Sequence, residues 1–332
     1  MKEDSIDEEF HIATLARTLN RWGFEFGKGT RSQHLKEKDH VIAARQRYLR
    51  KMRGNRSPGK GFGIETIRPE VYLDESYVNK NHSNDFIWYS GEDGPWVQKP
   101  TGKGERLIIL NAVTSSGWVH GAKLVFKSTR KTGDYHGQMN SDLFKRWFVE
   151  MLLPGIPKNS LIIMDNASYH NTLSEYSPPT PQCSKQKIKE WLEQNKIYSR
   201  DDCLKLELVE ILKKIAPEPI YAIDEIARIH GHEVLRTPPY HPELQPIEIC
   251  WGVLKNHVAR KCDFTMKYLI EQLDSGFSKV TANTCSKIMA KVRKVKTNFG
   301  TEDLKMDAEK IKNTPSIPLA KTIKGMGFHP KP

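Results

Sequence analysis

The stretch that most constrains how this 332-residue chain can fold is LIIMDNASYH, Leu161 to His170. Four apolar residues run into an acid, an amide and then a histidine. A short apolar run bounded by polar turn formers predicts a buried strand, with Asp165 delivered at its C-terminal end. In open α/β sheets ligands gather outside the carboxyl ends of strands, so an acid at that end is a candidate for site chemistry. Taken alone, the stretch equally suits an acid that caps the following turn together with Asn166.

The neighbouring segments supply the rest of a sheet. PEVYLDESYVN, residues 69 to 79, sets Val71, Leu73, Tyr77 and Val78 around Asp74 and reads as a strand. In a strand Asp74 and Glu75 face opposite sides, so only one of them reaches a given cleft. RLIILNAVTSSGWVHGAKLVF reads as two strands joined by a Ser-Ser-Gly turn. Met139 to Leu153 predicts a buried helix that stops before LPGIP. Glu233 to Arg236 predicts a further short strand, after which Pro246 opens a helix in the position where proline is favoured. On that helix Glu248, Trp251, Gly252 and Lys255 fall on one side. Together these elements predict an α/β fold, a mixed sheet flanked by helices.

Outside that sheet the readings are helical. Residues 9 to 23 place Ile12, Leu15, Leu19 and Trp22 on one face, with Gly23 as C-cap, and ordinary core packing of that face is expected. A second helix, rich in Arg and Lys, covers 36 to 52, and RGNRSPGKGFG succeeds it as a linker or a phosphate-contacting arm. SPPTPQC, 177 to 183, breaks the pattern, and the chain from there to about residue 230 reads as an insertion. It contains one helix capped by Ser184, with Ile188, Trp191 and Leu192 on a face, and a second carrying Leu204, Leu208, Ile211, Leu212 and Ile215. The pair resembles a SAP-like DNA-binding helix pair; the alternative is a solvated insertion packed on the main domain. Residues 264 to 295 read as helical, and the Lys-rich tail from Lys296 as loose.

Charge narrows the partners. Lys and Arg number 52 against 40 Asp and Glu, and the net charge of +12 favours a polyanion such as nucleic acid. The five cysteines, Cys183, Cys203, Cys250, Cys262 and Cys285, form no CxxC pair. They read as reduced thiols of an intracellular protein, with no zinc site. No apolar run suits a membrane span or signal peptide, so a soluble protein is expected. The cluster Lys291, Arg293, Lys294, Lys296 reads either as a nuclear address or as a solvated helix face.

Asp74, Asp165 and Glu248 each end or follow an expected strand. Three carboxylates brought together repel one another unless cations neutralise them, which points to a divalent metal site. Magnesium suits an all-oxygen site that also takes substrate phosphates. Two ions about 4 Å apart can activate an attacking oxygen and stabilise a leaving one in phosphoryl transfer. Asp74 and Asp165 are the better bridging residues, with Glu248 on one ion. Asn166, His170, His241 and Lys255 are supporting residues, the histidines as contacts to phosphate or water. No Ser-His-Asp set, phosphate loop or dinucleotide fingerprint competes.

The strings LDESYVN, MDNASYHN and YHPELQPIEICWGVLKNHV resemble the three acid-bearing motifs of the DDE transposase domain of the Tc1/mariner and IS630 superfamily. The resemblance covers roughly residues 68 to 262. It implies an RNase H-like fold, Asp74, Asp165 and Glu248 as the catalytic and metal-binding acids, and Mg²⁺ as cofactor, replaceable by Mn²⁺. It implies cut-and-paste transposition on transposon-end and target DNA, in which a freed 3′-hydroxyl attacks the target. A homodimer on DNA is expected, in the nucleus if the source is eukaryotic and in the cytoplasm if it is not. On this pattern 1–60 is a partial helix-turn-helix remnant with a basic linker, 68–262 the catalytic domain with its 177–230 insertion, and 263–332 C-terminal helices with a basic tail. Two departures stand out: the long interval from Asp165 to Glu248, and the short region before the first acid. The second suggests a truncated start or a repurposed copy. The alternatives are a domesticated, catalytically silent DNA-binding protein and an RNase H-type nuclease with another substrate.

Overall fold

A computed structural model of the chain describes residues 12–22, 34–58, 64–84, 96, 98–128 and 139–313. In chain order the regular elements are α1 (Ile12–Arg21), α2 (Asp39–Gly54), the ribbon β1 (Arg56–Pro58) and β2 (Ile64–Thr66), β3 (Glu70–Asn79), β4 (Arg106–Thr114), β5 (Gly117–Trp118) and β6 (Leu124–Lys127). After these come α3 (Ser141–Trp147), β7 (Leu161–Met164), α4 (Lys185–Gln194), α5 (Lys205–Ile215), α6 (Ala222–Ile229), β8 (Glu233–Arg236), α7 (Pro246–Arg260), α8 (Met266–Phe277) and α9 (Ala282–Asn313).

The sheet is mixed, with β3 between β4 and β7 and with β8 beyond β7. β3 runs antiparallel to β4 and parallel to β7, and β7 is parallel to β8. The expected hairpin forms, with its second arm divided into β5 and β6, both paired to β4. Alternation sends successive side chains to opposite faces, and each face has its own helical cover. Tyr72, Ile109, Leu161 and Ile163 face a core with residues of α2, α7, α8 and α9. Val71, Leu73, Ile162 and Met164 face a second core with α3 and α6.

Several expectations are corrected. The apolar side of α1 is not a core face: Leu15 is 50 % and Trp22 70 % exposed. Amphipathic spacing determines a helix but not a partner for its apolar side, and the proposed Gly23 cap lies outside the described residues. The tail from Lys296 is not loose up to Asn313, because α9 continues through it and buries Lys296 and Asp303. Their partners, Tyr72 and Arg45, are distant in sequence and give no local signal. Of the basic cluster, Lys291 and Lys294 are exposed as a solvated face requires, whereas Lys296 is buried.

The helix begun at α3 does not stop at Leu152. It passes through a widened turn, Phe148–Leu152, into a 3₁₀ turn over Leu153–Gly155, since proline in a first turn loses no hydrogen bond. Gly155 is required by contact, because a Cβ there would lie 2.5 Å from the His120 carbonyl oxygen. The Arg56–Pro58 part of the expected linker pairs with Ile64–Thr66 as a ribbon, and residues 59–63 lie outside the described set. Between residues 177 and 230 α4 and α5 form as expected, with Ser184 capping α4, and Ile188, Leu192, Cys203, Leu208, Val209 and Leu212 make a small core of their own. Leu204 and Ile215, expected on the apolar face, are exposed. No described helix is long and apolar enough to cross a membrane.

α2 therefore shares a core with the sheet: Tyr48 and Met52 are 2 % and 1 % exposed within it. Truncation of a buried Met leaves a cavity costing roughly 2–5 kcal/mol. Met52→Ala is expected to lose stability in that range in denaturant unfolding, in one transition monitored by far-UV and near-UV signals. A loss under about 0.5 kcal/mol, the size of a surface change, would show that α2 is not part of this core.

Candidate active site

The site follows from strand register. Tyr72 pairs with Ile163 across parallel β3 and β7, and Asp74 and Asp165 each lie two residues further on. A two-residue step returns to the same face, so both carboxylates emerge side by side on the α7 side of the sheet. Asp74 is 9 % exposed, and the Trp251 indole Nε1–H donates to its Oδ2 at 3.1 Å. Glu248 stands in the first turn of α7, one turn before Trp251. Asp74, Asp165 and Glu248 line one cavity of about 570 Å³, together with Asn166, His241, Gln245 and the Thr237–Pro242 turn.

The electrostatics are those of crowded acids. Burial, then Glu248, Glu75 and Asp165, push the Asp74 carboxyl well above the usual range, against the indole bond. Glu248 is raised by lost hydration and by Asp165, with Lys255 opposing. Lys255 is itself lowered by burial, which outweighs its attraction to Glu248 and Asp74. Its ammonium lies 5.1 Å from the Tyr77 ring centroid. The donor set is all carboxylate oxygen around a polar cavity, which suits a hard divalent cation. Among the described residues no three His, Cys, Asp or Glu side chains close to metal-binding distances.

The remaining sequence candidates divide. His170 is fully buried under Phe144, with ring centroids 4.2 Å apart. Its Nδ1 is 2.8 Å from Asp165 Oδ1, and its Nε2 is 3.2 Å from Glu75 Oε1. Burial opposes its charge, but Glu75 and Asp165 together push its pKa up to about 10. His170 is thus not open to phosphate. Asn166 donates from Nδ2 to the Thr237 carbonyl at 2.8 Å, tying the end of β7 to the end of β8. His241 lines the cavity, yet both its nitrogens are engaged: Arg45 Nη1 reaches Nε2 at 3.3 Å, and Nδ1 meets Glu243 Oε1 at 2.9 Å. Arginine only donates, so Nε2 accepts and the proton sits on Nδ1.

Three functional neighbours escape a reading of the sequence. Glu75 faces away from the cavity, as alternation requires, but acts on Asp165 through His170. Its one local signal is an acid on the buried face of a strand, which demands a buried partner. Trp251 is legible only as a residue on the Glu248 side of α7. Arg45, 2 % exposed, grips both oxygens of Asp303 and reaches His241, which ties α2 and α9 to the turn that leads into α7.

A family model described as DDE superfamily endonuclease matches residues 69–267. No curated protein matches the chain. Among solved structures, the Mos1 transposase paired-end complex with left transposon end is similar at a TM-score of 0.53 and 13 % identity, covering 88 % of this chain and 70 % of that one. The Mos1 mariner paired end complex with Mn gives the same values. The Mos1 strand transfer complex does so with 69 % of that chain covered. The likeness is one of fold, and it agrees with the expected RNase H-like architecture.

Burial works to raise the Glu243 carboxyl, but bonds from His241 and Lys36 outweigh it and hold the pKa at about 2. A folded pKa below the unfolded value of 4.5 gives stability that is full above about pH 4.5 and lost as pH falls towards 2. In thermal melts Glu243→Gln is expected to flatten that part of the acid-side decline. An unchanged slope between pH 4.5 and 2 would sink this assignment.

Proposed function

The chain belongs to the DDE superfamily of endonucleases, and from that premise we propose that it is a DNA transposase of the Tc1/mariner type. Its reaction is metal-dependent strand cleavage followed by strand transfer. The observation that carries this reading is the register of β3 and β7, which sets Asp74 beside Asp165 on a cavity that Glu248 also lines. All three lie inside the region matched by the family model.

In this reading Asp74, Asp165 and Glu248 hold the cation. When bound, Mg²⁺ or Mn²⁺ supplies Lewis-acid activation of the attacking and leaving oxygens in an in-line displacement. The protein's own contribution is positional. The indole of Trp251 fixes one oxygen of Asp74, and Asn166 holds the β7 and β8 ends together. The Pro238–Pro242 turn walls the cavity and is tied by His241 to buried Arg45. Lys255, on the Glu248 side of α7, adds positive charge near the acids, where a substrate phosphate would need it.

DNA as substrate fits the charge. Beyond the net +12, α2 presents Arg47, Arg50, Lys51 and Arg53 as exposed side chains. Arg47, Arg50, Lys51 and Arg68 line a cavity of about 500 Å³ at the N-terminal ends of β7 and β8, opposite the acids. Glu233 pairs there with Lys51 and Arg68, and among the described residues no ion pair engages Arg47 or Arg50. This face is the proposed track for a duplex backbone.

Two measurements test the reading. In a nicking assay on supercoiled DNA with Mg²⁺ or Mn²⁺, Asp165→Asn is expected to lower the rate by at least about 10²–10³, the usual cost of one electrostatic contact to the reacting group. Equal nicking by both proteins would exclude the assigned acids. No nicking by either, with DNA binding retained, would favour the silent DNA-binding protein. Separately, Arg47→Ala/Arg50→Ala is expected to weaken binding evenly across duplex sequences and reduce the slope of log affinity against log salt by about 2. An unaltered slope would remove α2 from the DNA surface.

A further inference from the structure

The turn that walls the cavity has little of its own to hold it. Between Thr237 and Gln245 stand Pro238, Pro239 and Pro242, which have no N–H to give. Tyr240 takes a φ of 63°, in the left-handed region that is unfavourable for a residue with a side chain. Only the far end closes on itself, where the Leu244 and Gln245 N–H groups donate to the carbonyls of His241 and Pro242. The other ties come from distant parts of the chain.

Lys36 Nζ meets Glu243 Oε1 at 2.8 Å, and Arg45 Nη1 donates to His241 Nε2 at 3.3 Å. The His241 ring also stands edge-on to Phe299 of α9, with centroids 5.3 Å apart. Arg45, His241 and Asp303 are each 2 % exposed. A guanidinium in such a place needs a counter-charge. Asp303 supplies it through two bonds, from Nε at 3.1 Å and from Nη2 at 2.5 Å. Nη1 is thereby aimed at the turn, with the exposed Glu37 carboxylate 3.5 Å from the same nitrogen. Joining α2 to α9 does not require charge, since apolar side chains of similar volume stabilise an interior at least as well as a buried ion pair. Such side chains could not donate to His241. His241 in turn stands seven residues before Glu248, on the segment that opens α7.

We propose that Arg45 and Asp303 are a positioning pair for the active site: the aspartate fixes the guanidinium, the guanidinium fixes His241, and the turn so held sets the cavity wall and the start of α7. The catalytic unit then includes α2 and α9, both outside the matched residues 69–267. This rests on the functional reading above, in which Glu248 serves the reaction. Arg45 and Asp303 act through His241, so neither is a catalytic residue.

The test uses the full chain and the double variant Arg45→Met/Asp303→Leu, which removes both charges and strands neither. It is expected to unfold at the same denaturant concentration as the natural protein or a higher one, and to bind duplex DNA equally well. At saturating DNA with Mn²⁺ its nicking rate is expected to fall about 10²-fold, the usual effect of misplacing reacting groups by about 1 Å. The half-saturating DNA concentration is expected to stay the same, and the Leu244 and Gln245 amides to exchange hydrogen faster. A pair that only stabilised the fold would move neither the rate nor the exchange. Either a natural nicking rate or unchanged exchange in the folded double variant would overturn the proposal while leaving the three acids as assigned. Absence of nicking by the natural protein, with DNA bound, would overturn the functional reading and this proposal together. Should the double variant fail to fold, Arg45→Lys decides, because it keeps the charge beside Asp303 without the planar fork. It is expected to fold and to nick slowly; nicking at the natural rate overturns the pair.

Discussion

Repulsion between carboxylates is the constraint on which the rest of the structure depends. The register of β3 and β7 forces Asp74 and Asp165 together, and the first turn of α7 brings Glu248 to the same cavity. Such an arrangement opposes folding unless charge is balanced from nearby. The chain balances it in two ways, with donors and with cations. Trp251 donates to Asp74, while His170 lies against Asp165 and Lys255 draws Glu248 towards ionisation. These groups offset the repulsion only in part, since Asp74 remains pushed well above the usual carboxylate range. On the proposed reading a bound divalent cation would relieve the residual repulsion, which would link folding energy and metal affinity at one place.

A second requirement is that the turn from Thr237 to Gln245 keep its shape, because it walls the cavity and feeds α7. It contains three prolines and a left-handed Tyr240 at φ 63°. Few backbone hydrogen bonds are available to such a segment, so side chains from outside must hold it. Arg45 does so from α2, with Asp303 of α9 neutralising it and Phe299 stacked at 5.0 Å. Removing either partner would strand a charge in the interior, where uncompensated burial costs several kcal/mol. The helices before and after the sheet are thus joined to its chemistry through one guanidinium.

How much could be read from residues alone depends on the range of the forces involved. The strands at Asp74 and Asp165, the Ser184 cap and the Pro246 start of α7 depend on neighbours within a few positions, and each is legible in the sequence. Asp165 stands out because the end of a strand is a local feature; Asp74, expected at a strand end, lies inside β3, and Glu248 stands in the first turn of α7. Arg45 with Asp303, and Lys296 with Tyr72, are pairings across more than two hundred residues, and nothing nearby distinguishes them from solvated charges. Lys296 shows the cost of missing one. Its burial lowers its pKa to about 7, and its ammonium donates to Tyr72 at 2.8 Å, two residues before Asp74. The α1 face fails for the opposite reason: its periodicity is clear, but exposure of Leu15 and Trp22 depends on what else lies there.

The long interval between Asp165 and Glu248 leaves the site undisturbed, and the geometry of its neck explains how. Leu173 pairs with Tyr221 as an antiparallel bridge, and the Ser174 N–H donates to the Ile220 carbonyl, so the chain leaves and returns at one point. Beneath that neck Arg236 binds Asn171, Asp224 and the His170 carbonyl, and packs on the Tyr221 ring at 4.3 Å. The two helices beyond it stabilise themselves through their own core. Once the ends of an excursion are fixed, the entropic cost of closing it grows only logarithmically with its length. A long excursion is therefore tolerated here because Arg236 and the bridge hold the turn of His170 in place whatever lies between them.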